Sequence, residues 1–488
     1  MKDSSNITKK SIASVKWSVL TEVVSRVISP LTFVVLARIL TPQDFGIIAI
    51  AQIAISFCYL FWDAGLEKAL IQTREPLEKA ANVVFWINIA LGLILYVILF
   101  ASAPLLSIFF NTPAAGVVLQ VLGLQIIIGS LSTVQRALLL RDLNFKLLFW
   151  ARLATAAVPA LVSIPLAYLG YGVWALVASS LAGAFINLLI LWIRSPWRPQ
   201  FCFDTSIAKK MANFGSWIVL DSLIGWFISQ GDAVVVGRFL GIKDLGLYRT
   251  GRNIVDIIFG LTLNPISPIL YPSFSALQGD KEALRKFLLK ANRIIMSLTL
   301  PIGTGIMCVA SPLVAVVLGD KWQGVDVVIS IMGLQSALGW LVGANPEFYR
   351  AIGRPDVQTK IGLFSIPLYL IVYFIAAPLG LKAFVFARLG LTLIVLPVHV
   401  WMAVKVLDLS YLYLWETGKP MILSTTFMVV TILGINWTMD VTAFIRPAIF
   451  DLLAFTMTGI VVYVGSLWIL DKSFIVQTKK IVRKVFSA

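Results

Sequence analysis

Apolar residues fall in long, nearly unbroken blocks along this chain, and short polar clusters punctuate them. A helix rises about 1.5 Å per residue, so about 20 apolar residues cross the roughly 30 Å hydrocarbon layer of a bilayer. Windows of that length predict fourteen spans, at 15–37, 46–66, 82–103, 115–135, 147–169, 172–193, 213–236, 246–270, 292–318, 324–345, 358–379, 380–403, 420–438 and 447–470. Twelve is the rival count, because the last pair is less sharply delimited. Tight glycine turns at 170–172 and around Gly380 make hairpins of the fifth and sixth spans and of the eleventh and twelfth. The polar N-terminal residues lead into an apolar run without a small-residue cleavage site, so the first span is expected to be retained.

The pattern repeats. LTFVVLARILTPQDFGIIAI at 31–50 returns as GDAVVVGRFLGIKDLGLYRT at 231–250, with Arg38/Arg238, Leu40/Leu240, Asp44/Asp244 and Gly46/Gly246 among the identities. Pro104-Leu105 returns as Pro312-Leu313, Gly123-Leu124-Gln125 as Gly333-Leu334-Gln335, and Gly172 and Ala175 as Gly380 and Ala383. Six spans per copy is an even number, so both copies share one orientation about an axis along the membrane normal. The expected fold is all-α and polytopic: a six-helix lobe at 1–194, a polar linker at 195–210, a second six-helix lobe at 211–406, an extra helix pair at 407–470 and a basic tail at 471–488.

Composition agrees with lipid as the main solvent. Residues are 59% hydrophobic and 13% charged, where a soluble domain carries about 25% charged residues. The net charge of +16 does not indicate nucleic acid, because no soluble basic module carries it. With the N-terminus placed inside, 29 Lys and Arg fall in inner segments and six in outer loops, which puts both termini in the cytoplasm. Cys58, Cys202 and Cys308 are isolated and odd in number, and suggest neither disulfides nor a metal site. Trp17, Trp197 and Trp322, near span ends, read as interfacial belt.

A charge inside an apolar span is costly, so each one is a functional candidate. Arg26 lies near the middle of the first span, with Glu22 one turn before it as a local ion-pair partner and Pro30 one turn after it as a kink. Arg249, Arg252 and Asp256 in the eighth span share one helix face with a positive balance, suited to a phosphate or other anion. Arg249 has the alternative of snorkelling to the outer surface. Arg388 in the twelfth span is a further cationic candidate, whereas Arg152 lies near an inner span end and reads as snorkelling. Asp63, Asp221 and Asp232 are acidic candidates, either for proton uptake or as counter-ions; Asp221 is the deepest.

Enzyme signatures are missing. The chain holds no GxxxxGK[ST], HExxH or GxSxG motif, and its one histidine, His399, cannot build a Cys/His metal cluster. A membrane glycosyltransferase would use one or two carboxylates, usually on a large charged outer loop, and the outer loops here are short.

Ser18–Gly65, above all LARILTPQDFGIIAIA at 36–51 and the following Asp63-Ala64-Gly65 turn, resembles the start of polysaccharide-repeat flippases of the Wzx type. These are exporters of the polysaccharide-transporter family, close to the colanic-acid exporter group. They share a superfamily with drug/cation antiporters and the lipid-linked peptidoglycan-precursor flippase. The resemblance implies alternating access by two bundles in a bacterial inner membrane, moving an undecaprenyl-diphosphate-linked oligosaccharide to the outer leaflet. It implies head-group binding by arginines such as Arg26, Arg249, Arg252 and Arg388, with Glu22, Asp221 and Asp256 as counter-charges or sites of H+ or Na+ coupling. It implies no other cofactor, and polymerase and chain-length proteins of the same pathway as partners. A drug antiporter and a non-transporting scaffold are the competing readings; the net basic span charges favour the flippase over the first.

Overall fold

The computed structural model describes residues 28–63, 65–73, 75–407, 410–441, 446–476 and 479. The expectations for Glu22 and Arg26 fall outside these, as do the side chains of Asp63 and Asp221. All regular elements among the described residues are helical: α1 (Ile28–Ile39), α2 (Pro42–Asp63), α3 (Leu66–Gln72), α4 (Leu77–Phe109), α5 (Pro113–Leu122), α6 (Leu124–Ser130), α7 (Thr133–Arg141), α8 (Phe145–Tyr168), α9 (Val173–Arg194), α10 (Thr205–Phe239), α11 (Ile242–Leu263), α12 (Ser267–Ala276), α13 (Lys281–Val317), α14 (Val325–Gly339), α15 (Asn345–Ala351), α16 (Pro355–Ala376), α17 (Leu381–Leu407), α18 (Tyr411–Val441) and α19 (Ala448–Leu470), with short 3-10 turns between some of them. In lipid no water satisfies the backbone, so a spanning chain that is not a closed barrel must be helical.

Eleven helices among the described residues are long and apolar enough to cross a membrane. A twelfth is added if α11 and α12, bent by 44° at a break containing Pro265, form one span. Neither α1, described only from Ile28, nor α10, which carries Lys209, Lys210, Asp221, Asp232 and Arg238, is in this set. Fourteen remains the sequence-based expectation.

The chain divides into two compact units, up to Arg249 and from Thr250 onward. In the first, Ile48, Ala51, Ile55 and Cys58 form one stripe of α2 and pack with Leu99 and Ala103 of α4 and Leu119 and Leu122 of α5. Helix α10 docks on α2 through the Trp226 indole, which donates to Ser56 Oγ at 2.9 Å while its ring meets Phe57 edge-on. The predicted linker is pinned to α4: Asn82 accepts from the Gln200 amide at 2.8 Å, Trp86 donates to the Gln200 carbonyl at 2.9 Å, and Phe201 stacks on Trp86.

The repeated motif packs against itself in this unit. In the first copy Thr41 caps α2 by a reciprocal pair, its backbone N–H donating to Asp44 Oδ2 at 2.9 Å and its hydroxyl accepting from the Asp44 N–H at 3.3 Å. One turn on, the Gly46 backbone lies against the Ile242 carbonyl, and the Gly246 backbone lies against the Pro42 carbonyl. Under the 200-residue offset this is one contact made twice. A Cβ at either glycine would overlap backbone oxygen, and a backbone atom cannot move aside as a flexible side chain can.

In the second unit α13 and α14 approach at Gly303 and Gly333, whose backbones touch, as small residues allow between membrane helices. The last helix pair docks on α13. The Tyr463 hydroxyl donates to the Ser297 carbonyl at 2.8 Å, and buried Asp471 pairs with Arg293, whose guanidinium also lies over the Phe474 ring. Trp322 corrects an expectation: it is fully buried in the turn before α14, not part of an exposed belt.

Gly46→Ala and Gly246→Ala should each destabilise the detergent-purified protein by about 1–3 kcal/mol, the usual cost of overpacking. Gly434→Ala, a helix position with open space around it, should be neutral or stabilising by up to about 1 kcal/mol. Thermal unfolding of the three variants checks this; equal shifts would contradict the contact.

Candidate functional site

The α11 face predicted from its spacing is charged and paired. Arg249 donates to Gln230 Oε1 of α10. Arg252 pairs with Asp256 at 3.5 Å, one turn apart, with the arginine side chain 22% and the carboxylate 63% exposed. This pairing leaves the face less positive than its two arginines alone would make it. Arg388 is half-buried on α17. Asp232 is fully buried on α10 and accepts a 2.6 Å hydrogen bond from the Tyr248 hydroxyl of α11. That contact locks two neighbouring helices together, so a structural role accounts for Asp232.

A second group of residues lines a chamber of about 620 Å³ inside the first unit. Its walls are helical stripes. Helix α9 contributes Ser180, Gly183, Ala184 and Asn187, and α8 contributes Leu148, Ala151, Arg152 and Thr155, with Pro159 one turn further on; both sets of four follow the i, i+3, i+4, i+7 spacing of a helix face. Gln125 and Gly129 of α6, Thr133 and Arg136 of α7, and Tyr59, Trp62 and Glu67 complete it. Glycine makes the room. The six-membered ring of Trp62 lies against Gly129, and a Cβ at Gly183 would press on Pro159 of α8.

Glu67 and Arg136 form the chamber's ion pair. Arg136 donates from Nε to Oε1 at 3.1 Å and from Nη2 to Oε2 at 2.8 Å, a two-point grip that fixes the plane of the guanidinium. The glutamate side chain is 12% exposed and the arginine 55%, so the carboxylate anchors an arginine that remains open on its far side. Arg141 tightens the same end by donating to the Leu70 carbonyl of α3 at 3.0 Å. Spacing arguments missed this chamber. Arg152 read as snorkelling and Arg136 entered only the count of inner-side Lys and Arg, and the signal available was the run of small and polar residues on one face of α9.

A protein with eleven or twelve helices fit to cross a membrane among its described residues, charged side-chain pairs and a chamber with polar and apolar walls in one helical unit is an integral-membrane protein. Residues 35–326, more than half of the chain, match the family described as polysaccharide biosynthesis protein, and the chain belongs to that family. It is 28% identical over 346 residues to the succinoglycan biosynthesis transport protein ExoT of Rhizobium meliloti (strain 1021), covering 70% of each chain. It is 25% identical over 375 residues to the lipopolysaccharide biosynthesis protein WzxC of Escherichia coli (strain K12), covering 75% of each. Among solved structures the lipid II flippase MurJ, in an inward closed conformation, has a similar fold, with a TM-score of 0.75 at 15% identity over 94% of this chain and all of that one.

The chamber wall makes a prediction. Gly129→Ala should destabilise by roughly 1–3 kcal/mol by displacing Trp62, and Trp62→Leu should recover part of that loss. A double-mutant cycle of thermal stabilities should then show a coupling of about 0.5–3 kcal/mol; strict additivity would mean the ring does not rest on Gly129.

Proposed function

We propose that this protein is a flippase that moves undecaprenyl-diphosphate-linked oligosaccharide repeat units from the cytoplasmic to the outer leaflet of a bacterial inner membrane by alternating access. The observation that carries the reading is family membership, together with relatives named for the transport or biosynthesis of surface polysaccharides. The fold shared with MurJ supports it, since that relative in fold is named a lipid II flippase.

The moving bodies in this reading are the six-helix lobes 1–194 and 211–406, joined by 195–210, with both termini cytoplasmic as the Lys and Arg distribution favours. Arg26, Arg249, Arg252 and Arg388 serve the diphosphate, because a guanidinium fork matches two phosphate oxygens and stays charged at every working pH. Asp256 keeps Arg252 oriented in the absence of substrate and yields it when a diphosphate arrives with more negative charge. Glu22 and Asp221 are the remaining carboxylates placed for counter-charge or for coupling to H+ or Na+. Polymerase and chain-length proteins of the same pathway receive the product.

Leaflet exchange of a fluorescent polyprenyl-diphosphate oligosaccharide in proteoliposomes tests the reading. Wild-type protein should accelerate exchange, and Arg26→Ala and Arg252→Ala should each cut the rate by at least about tenfold, the loss expected for one charge-assisted contact, while still inserting normally. Wild-type rates in both variants would remove the arginines from the head-group site.

A further inference from the structure

We propose that the chamber in the first unit is a saccharide-binding site, one that holds the sugar portion of the transported lipid through hydroxyl and amide side chains. The inference rests on the flippase reading for the origin of the sugar and on the chamber's own geometry for the site.

The lining is long. On α8 the lining runs from Leu148 to Pro159, and on α9 from Ser180 to Leu191. At 1.5 Å per residue each stripe extends about 16 Å along its helix, about half the hydrocarbon thickness. Leu140, Leu148 and Leu191 lie at the end that carries the basic turn after α7 and the basic end of α9, and the polar residues lie deeper. Polar side chains held that far inside a membrane protein face a ligand or water, not lipid.

The lining chemistry selects among ligands. A cation path calls for carboxylates, and the lining has one, Glu67, which is held by Arg136. No cluster of His, Cys, Asp and Glu able to hold a metal occurs among the described residues. An apolar ligand would leave Gln125, Ser180 and Asn187 unmatched: all three are half-buried, and none has a side-chain hydrogen bond to protein among the described residues. Ser132 and Thr133 donate their hydroxyl hydrogens to the Gly129 carbonyl, and Thr155 donates to the Arg152 carbonyl, so their oxygens keep lone pairs for accepting. The wall therefore offers amide donors and acceptors beside hydroxyl acceptors.

A sugar hydroxyl, which donates once and accepts twice, is the group such a mixed wall satisfies. Tyr59 supplies the apolar face that a sugar's C–H groups need: it is 47% exposed, and its ring is held edge to face by buried Trp62, centroids 4.3 Å apart. Arg136 adds a cation whose orientation is set in advance by Glu67, which suits a vicinal hydroxyl pair or an acidic substituent on the sugar. A volume of about 620 Å³ lies within the range of sites for molecules of drug size, about 300–1,000 Å³, and admits a short oligosaccharide.

The test uses full-length purified protein and the oligosaccharide repeat released from the lipid carrier of the source cells, labelled at its reducing end, in equilibrium dialysis. Saturable binding is expected, with Kd raised at least about tenfold, or about 1.4 kcal/mol, by Asn187→Leu and by Gln125→Leu. Phe427→Ala, an exposed position on α18, should bind as wild type does. Asn187→Gln keeps the amide and should bind better than Asn187→Leu, which separates lost contacts from misfolding; size exclusion and circular dichroism monitor the fold. The inference is overturned by absence of saturable binding up to the order of 1 mM, or by wild-type affinity in both leucine variants. Leaflet exchange of the intact lipid-linked repeat is run in parallel. Exchange without sugar binding rejects the chamber and keeps the flippase, whereas binding without exchange keeps the chamber and rejects the flippase.

Discussion

Lipid removes the force that organises most proteins. A leucine gains little by turning from hydrocarbon into a helical bundle, so apolar burial does not by itself bring membrane helices together. Attraction must come from close packing and from polar groups that find no partner outside. Both are visible here. Backbones meet at Gly46 and Gly246, and again at Gly303 and Gly333, where absent side chains let helix axes draw near. Polar ties do the rest: Trp226 to Ser56, Asn292 to Asn345, Tyr463 to the Ser297 carbonyl, and Arg293 to Asp471. Large exposed apolar side chains such as Leu161, Ile193 and Ile469 are then ordinary, because the surface they face is hydrocarbon.

The same solvent sets the terms for charge. Among the described residues, Arg252 and Arg136 each meet a carboxylate, Asp256 one turn away and Glu67 on another helix. The two pairs differ in kind. Asp256 is largely exposed and Arg252 mostly covered, a contact at 3.5 Å within one helix. Glu67 is mostly covered and grips Arg136 at two points, which fixes the plane of the guanidinium and leaves the arginine the more exposed partner. Pairing is therefore loose in one case and fixes orientation in the other.

The helices were legible because hydropathy blocks of membrane length have few alternatives: 82–103 lies within α4, 172–193 matches α9 closely, and 447–470 matches α19. The α11 pair Arg252 and Asp256 was legible for a similar reason, since i, i+4 spacing alone sets two side chains side by side. The chamber was not. Its lining comes from six helices and depends on which faces turn toward each other, a matter of tertiary packing that periodicity does not report. Ser180, Asn187 and Gln125 carry no charge and break no hydropathy window, and Trp322 near a span end looked interfacial although its turn folds inward. Local rules place residues on a face; only the assembled helices say what that face meets.

The contact between Pro42 and Gly246 and that between Ile242 and Gly46 have the form of an isologous interface, in which residue i meets j and j meets i. It is the contact that one half-length chain would make with a second copy of itself. Once both copies lie on a single polypeptide, neither is free to diverge alone: a side chain added to one glycine meets the main chain of the other copy, so each half acts as a selective filter on its twin. The identity of Gly46 and Gly246 is then explained without a ligand. That pair of glycines marks a place where the two copies of the repeat meet main chain to main chain.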